Sequence, residues 1–156
     1  MKYIVDTSSF QQLFGCYKRV RFPSLWKEFD ELVNCGAITS IQHVMREISH
    51  RDKGNGELEW AKKNSDLFPS ITENETEFLR EIFKEPRVRH VVPTDIRDTQ
   101  AAADPYLVAR ARSIKGMVIT QERERGNRVR IPTICNQFGI KCGTLDDLMA
   151  LEGWSF

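Results

Sequence analysis

Short apolar runs alternate along the chain with stretches whose apolar residues recur at helical spacing. Tyr3-Ile4-Val5 reads as an opening strand closed by Asp6. Ser8 or Ser9 can cap a short helix through Leu13, and Asp6 can do the same. Pro23 starts a second helix with Leu25, Trp26, Phe29, Leu32 and Val33 on one face, and Gly36 ends it. Ala37-Ile38-Thr39-Ser40 reads as a second strand, with Ser40 placed to cap a helix carrying His43, Val44, Glu47 and Ile48. Arg51-Asp52-Lys53-Gly54-Asn55-Gly56 is a loop, because its glycines, Asn and charges give it neither periodicity nor a core face. A helix from about Glu57 to Lys63 follows.

Thr72 or Asn74, with Glu75 or Glu77 three residues on, starts a capping-box helix to about Phe83, which Pro86 stops. From Arg87 to Thr99 the pattern is lost, although Val91-Val92-Pro93 can be a short edge segment. Asp104 before Pro105 opens a helix through Ala111, and Met117-Val118-Ile119-Thr120 reads as a buried strand. Ile131-Pro132 opens a short helix to Phe138, Ile140-Lys141-Cys142 suits a final strand, and Thr144 caps a last helix with Leu145, Leu148 and Met149 inward. Alternation of this kind belongs to a parallel sheet covered on both faces. The expected fold is therefore α/β, a three-layer α/β/α sandwich with a central, mainly parallel sheet.

A length of 156 residues fits one domain over 1–156, with no repeat or linker. The hydrophobic share of 40% and charged share of 29% exclude a disordered chain, and Trp26, Trp60 and Trp154 read as core anchors. Cys16, Cys35, Cys135 and Cys142 lie far apart without a CxxC pair, which speaks against a zinc site and against a disulfide framework. Asp6 interrupts the N-terminus before a signal-peptide apolar region can form, and no run is long enough to span a membrane. A cytoplasmic, membrane-free protein is expected.

Four acids fall where predicted strands or helices begin or end: Asp6, Glu47, Asp104 and Glu122. Each has an ordinary structural role open to it. Asp104 can be a plain N-cap, Glu47 beside Arg46 a solvated charge, and Glu122 or Glu124 a partner for nearby arginines. All four nevertheless map to one edge of a parallel sheet, where open α/β folds place their sites. Carboxylates alone make a hard oxygen site suited to Mg²⁺ or Mn²⁺ rather than zinc. His43, His50 and His90 show no ligand spacing.

In order and context these motifs resemble the PIN-domain ribonucleases. Ile4-Val5-Asp6-Thr7-Ser8 matches that family's strand, Asp and small hydroxyl residue; Val44-Met45-Arg46-Glu47-Ile48 matches its helix Glu; and Asp104, Leu107, Ala109 and Ala111 match its third acid. Val118-Ile119-Thr120-Gln121-Glu122 matches the fourth with Glu in place of the usual Asp, which leaves Glu124 as a rival. From Ile131-Pro132-Thr133-Ile134-Cys135 onward the chain is similar to a PIN-like branch with toxins of toxin–antitoxin pairs among its members. The resemblance implies Asp6, Glu47, Asp104 and Glu122 as catalytic and metal-holding residues, with Ser8 and Thr120 supporting them. It also implies in-line hydrolysis of RNA with no covalent enzyme intermediate, a cognate antitoxin and a homodimer.

The net charge of +1 gives no global pull on a polyanion, so attraction must be local. Seven basic residues lie between Arg110 and Arg130, against the two acids Glu122 and Glu124. Arg123, Arg125, Arg128 and Arg130 are thus the candidate contacts to RNA phosphates, unless the segment is only a solvated charged loop. Tyr17 with Lys18, Arg19 and Arg21 is a second basic and aromatic patch, suited to stacking an unpaired base.

Two other classes fit in part. A catalytically degenerate PIN-like module that binds RNA or protein accounts for the basic loop but not for four retained acids. A phosphoryl-transfer domain of the receiver or haloacid-dehalogenase type also wants Asp after the first strand. It wants a second acid beside or near it as well, and Ser8 stands at the phosphatase position.

Overall fold

The computed structural model describes residues 1–89, 99–124, 126 and 129–156. The Val91-Val92-Pro93 segment, His90, Arg125 and Arg128 lie outside the described residues. Four short strands, β1 (Tyr3–Val5), β2 (Ile38–Thr39), β3 (Met117–Ile119) and β4 (Cys142–Gly143), form one sheet in the order β2-β1-β3-β4. Every pairing is parallel, with Tyr3 opposite both Ile38 and Met117, and Ile119 opposite both Val5 and Gly143. All three residues of β1 and of β3 are buried, as central strands covered on both faces require. The final strand is Cys142–Gly143, shifted toward the C-terminus of the stretch expected from sequence.

Helices flank the sheet to give the three-layer α/β/α sandwich. They are α1 (Thr7–Cys16), α2 (Pro23–Asn34), α3 (Gln42–His50), α4 (Glu57–Lys63), α5 (Glu73–Lys84), α6 (Pro86–Arg89), α7 (Thr99–Ser113), α8 (Ile131–Gln137) and α9 (Leu145–Leu151). α7 lies against β1 and β3 and is itself packed by α3, α5 and α8. Around α1, α2 and α4 the core is aromatic: Phe14 meets Trp26 edge-on at 4.9 Å, and Phe10, Phe29 and Phe68 complete the cluster with Trp60. Edge-to-face rings add to plain area burial because each ring's positive rim meets its neighbour's negative face.

Local chemistry sets most helix ends. Thr72 and Glu75 form the expected capping box on α5. Glu75 is also buried, and its other carboxylate oxygen accepts from Arg110 at 2.9 Å and Ser113 at 3.0 Å, which fastens α5 to α7. Pro86 both follows α5 and starts the four-residue α6. Two expected caps are not found. The N-cap of α3 is Ile41, because the Ser40 hydroxyl donates instead to the Val5 carbonyl at 2.6 Å and ties β2 to the end of β1. Asp104 is not the start of its helix, since α7 begins at Thr99 and runs through Pro105. Ala101, Ala102 and Ala103, all strong helix formers, extend the helix upstream.

Between α7 and β3 the chain turns through Lys115, whose φ of 53° places a non-glycine residue in the left-handed region. Gly116 follows with no room for a side chain. A Cβ there would lie 2.5 Å from the Cδ1 of buried Ile4 and 2.8 Å from the Lys2 carbonyl oxygen. Gly116→Ala is therefore expected to destabilise the protein by about 2 kcal/mol or more through overpacking against the sheet. Urea denaturation checks this, and an unchanged midpoint would mean that β1 and β3 part without cost.

Candidate active site at the carboxyl edge of the sheet

Parallel pairing in this register brings the ends of β1 and β3 level. The Asp6 N–H donates to the Ile119 carbonyl at 2.9 Å, and the Thr120 N–H to that of Gly143 at 2.9 Å. Asp6 is buried and is the N-cap of α1, accepting from the Ser8 N–H at 3.4 Å. Its same oxygen, Oδ2, accepts from the Ser8 hydroxyl at 2.6 Å and the Thr120 hydroxyl at 2.9 Å. Ser8 and Thr120 therefore do support Asp6, and three donors on one oxygen fix its carboxylate plane. Ser8 does so from inside α1 rather than as its cap.

Glu47 is only 9% exposed, which sets aside the solvated reading; neighbouring Arg46 is the exposed member of the pair. The Thr7 hydroxyl donates to Glu47 Oε2. Burial pushes the Glu47 carboxyl up to about 7; the Thr7 bond opposes the rise and the nearby charges of Asp6 and Glu122 add to it. Asp104, partly buried on α7, is pushed up to about 9, first by burial and then by the charges of Glu122, Asp6 and Glu47, with Arg130 offsetting only part. Burial and Asp6 also raise Glu122, against the lowering effect of the Ile131 N–H and Arg130. Four carboxyls from four elements thus share one electrostatic neighbourhood.

Glu122 and Glu124 part company here. Glu122 accepts from the Ile131 N–H at 3.2 Å, at the start of α8, and pairs with Arg130 at 3.5 Å. Glu124 is exposed and accepts from the Asn136 side chain at 3.0 Å. The Glu122–Arg130 pair realises the ordinary structural role foreseen for an acid among arginines, yet the same Glu122 is among the charges that raise Asp104. Beside it a hollow of about 450 Å³ is lined by Ser8, Gln121, Glu122, Arg123 and Arg130. Two of the four candidate phosphate contacts therefore border the carboxylates.

Among the described residues, no three His, Cys, Asp or Glu side chains already stand as a ligand set for one ion. The donor chemistry suits a hard cation: three of the acids carry clearly raised pKa values, and Asp6 and Glu47 are oriented by hydroxyl donors. His43 lies one helical turn from Glu47 but stacks on Tyr106 with centroids 4.1 Å apart, and burial lowers its pKa. The basic patch near Tyr17 is engaged internally. Arg19 makes two bonds to Asp30 and lies 3.9 Å over the Trp26 ring, while Lys18 donates to the Phe14 carbonyl.

Sequence reasoning missed Thr7, the Ile131 N–H and one further feature. Cys135 on α8 and Cys142 on β4 meet where those two elements pack together, close enough for each thiol to shift the other. The contact with Cys142 and burial together raise Cys135, while the contact with Cys135 holds Cys142 below the usual thiol value. Thr7 had one available signal, as a hydroxyl residue directly after the strand-end acid.

A family model described as "Domain of unknown function (DUF4411)" matches residues 3–156. The chain belongs to that family. No curated protein matches the DUF4411 chain. Among its described residues, no helix is long and apolar enough to cross a membrane.

Proposed function

We propose that this DUF4411 chain is a metal-dependent endoribonuclease of PIN-like type that hydrolyses RNA phosphodiester bonds, acting in the cytoplasm as the toxin of a toxin–antitoxin pair. One observation carries the reading: Asp6, Glu47, Asp104 and Glu122 come from separate parts of the chain to one sheet edge, near enough that the charges of the other three add to the rise of Asp104. Carboxylates in excess of their cations are costly, and a site that gathers four of them around the single paired cation among the described residues, Arg130, is typical of function rather than stability. Asp6, Asp104 and Glu122 are the residues to hold Mg²⁺ or Mn²⁺, with Glu47 beside them. The ion, when bound, neutralises charge on the scissile phosphate and lowers the pKa of a coordinated water.

The protein's own part is orientation. Ser8 and Thr120 fix Asp6, Thr7 fixes Glu47, and the first N–H of α8 fixes Glu122. Arg123 and Arg130 border the hollow where a phosphate backbone would lie, and Arg125 and Arg128 belong to the same basic segment. The PIN resemblance adds a cognate antitoxin and a homodimer to the reading. A second reading, a degenerate PIN-like module that binds RNA or protein without cutting it, is favoured by the lack of a ready ligand set among the described residues.

Incubating RNA with the purified protein and Mn²⁺ or Mg²⁺ separates the two. Under the nuclease reading wild type cleaves, and Glu122→Gln loses about a hundredfold or more, while Glu124→Gln keeps most activity because its side chain faces Asn136. Binding without cleavage at any metal concentration supports the module instead. The reverse ranking of the two variants would move the fourth position to Glu124.

A further inference from the structure

Of four cysteines, two lie on elements that pack directly together, Cys135 on α8 and Cys142 on β4, near enough for each thiol to act on the other. The turn after α8 makes this contact. The Ile140 N–H donates to the Cys135 carbonyl at 2.9 Å, which folds the chain back, and β4 then enters the sheet with Cys142 opposite Val118. Cys135 is fully buried and Cys142 is partly accessible, so an oxidant meets Cys142 first and its partner lies directly behind. The other two, Cys16 and Cys35, are exposed at the ends of α1 and α2.

We propose that Cys135 and Cys142 form a redox-modification site, a dithiol that hydrogen peroxide converts reversibly to an intramolecular disulfide. The Cys142 sulfur attacks one peroxide oxygen and the O–O bond breaks; the leaving hydroxide takes a proton and departs as water. Cys142 is then a sulfenic acid. The Cys135 sulfur attacks the Cys142 sulfur, the S–O bond breaks, and the sulfenic hydroxyl leaves as a second water with the Cys135 proton, while the proton released when Cys142 became a thiolate is the one the first hydroxide took. Two thiols lose two electrons and two hydrogens, and one peroxide becomes two waters. A resolving thiol in contact keeps Cys142 from going on to the irreversible sulfinic acid. A dithiol reductant reverses the bond by exchange.

The site is joined to the acids. Cys142 feels the charges of Asp6 and Glu122, and Cys135 that of Asp104. The helix that carries Cys135 also gives its first N–H to Glu122. A covalent tie from α8 to β4 therefore fixes the helix that orients Glu122, a consequence that rests on the proposed nuclease reading, whereas the disulfide itself does not.

The test treats the full chain carrying Cys16→Ser and Cys35→Ser, both at exposed positions, with hydrogen peroxide, then alkylates the remaining thiols and maps peptides by mass. The expected result is a monomeric product lighter by two hydrogens, with Cys135 and Cys142 joined, unalkylated, and both recovered by dithiothreitol. The wild-type chain, mapped the same way, gives the same readout should the double variant fail to fold. Both cysteines remaining alkylatable, Cys142 reaching sulfinic acid beside a free Cys135, or a disulfide between two chains would each overturn the proposal. None of these outcomes depends on whether the protein cuts RNA.

Discussion

Asp104→Asn is expected to abolish metal-dependent RNA cleavage, by about a hundredfold or more, while making the metal-free protein more stable. Burial and three neighbouring acids disfavour a negative charge at this position, with Arg130 as a partial offset. Asparagine keeps the shape and never ionises, so at neutral pH folding no longer has to protonate a carboxyl that is charged in the unfolded chain. A gain on the order of 1–2 kcal/mol corresponds to roughly 2–8 °C in a chain of this size. The same change removes a hard oxygen anion from the proposed ion site, so thermal stabilisation by Mn²⁺ should shrink as well. Loss of activity with unchanged or lowered stability in metal-free buffer would point to a structural carboxyl. Cleavage at the wild-type rate would remove Asp104 from the site altogether.

Opposite effects on stability and activity separate a functional acid from a structural one. Glu75 makes the contrast. It too is a buried carboxylate, but it accepts from Arg110, Ser113 and the Thr72 backbone. Glu75 is a buried charge with its partners supplied. Among the four acids of the sheet edge, hydroxyls orient Asp6 and Glu47, yet the only cation that pairs with any of them among the described residues is Arg130.

Features written in a few adjacent residues were legible in the sequence. The Thr72–Glu75 capping box, proline at the start of α2 and within the first turn of α8, and the apolar runs of β1 and β3 all depend on local geometry, and they stand where they were expected. What depended on a distant partner was not legible. Ser40 has the chemistry of a helix cap, but the Val5 carbonyl on the neighbouring strand takes its hydroxyl. Asp104-Pro105 has the signature of a helix start, yet α7 passes straight through it. Glu47 was expected at the site but also fits a solvated helix position; only the packing of α3 on α1, α4 and α7 buries it. The cysteine contact was hidden because the turn that closes it is set by a backbone bond from Ile140 to Cys135.

The metal-free protein is expected to lose stability as pH rises from about 5 to about 8, and a divalent cation to return it. The direction follows from proton linkage. Asp104 moves from an ordinary 3.8 to about 9 on folding and Glu47 from 4.5 to about 7, so the folded state holds protons that the unfolded chain releases. Such groups contribute fully below the ordinary carboxylate values, and their contribution fades as pH climbs through the raised ones. Most of the decline therefore falls between about 4 and 9. A loss on the order of 2 kcal/mol, roughly 4–8 °C, is the expected scale. Because Mn²⁺ or Mg²⁺ needs the ionised carboxylates, it competes with those protons, and its stabilising effect should grow over the same range. Melting curves at several pH values, with and without ion, test both halves together. Metal-free stability that stays level or rises from pH about 5 to about 8 would mean that the four carboxyls are not crowded as charges. A cation effect independent of pH would place the ion elsewhere on the protein, and Asp104→Asn should flatten both curves if the ion is held where the acids meet.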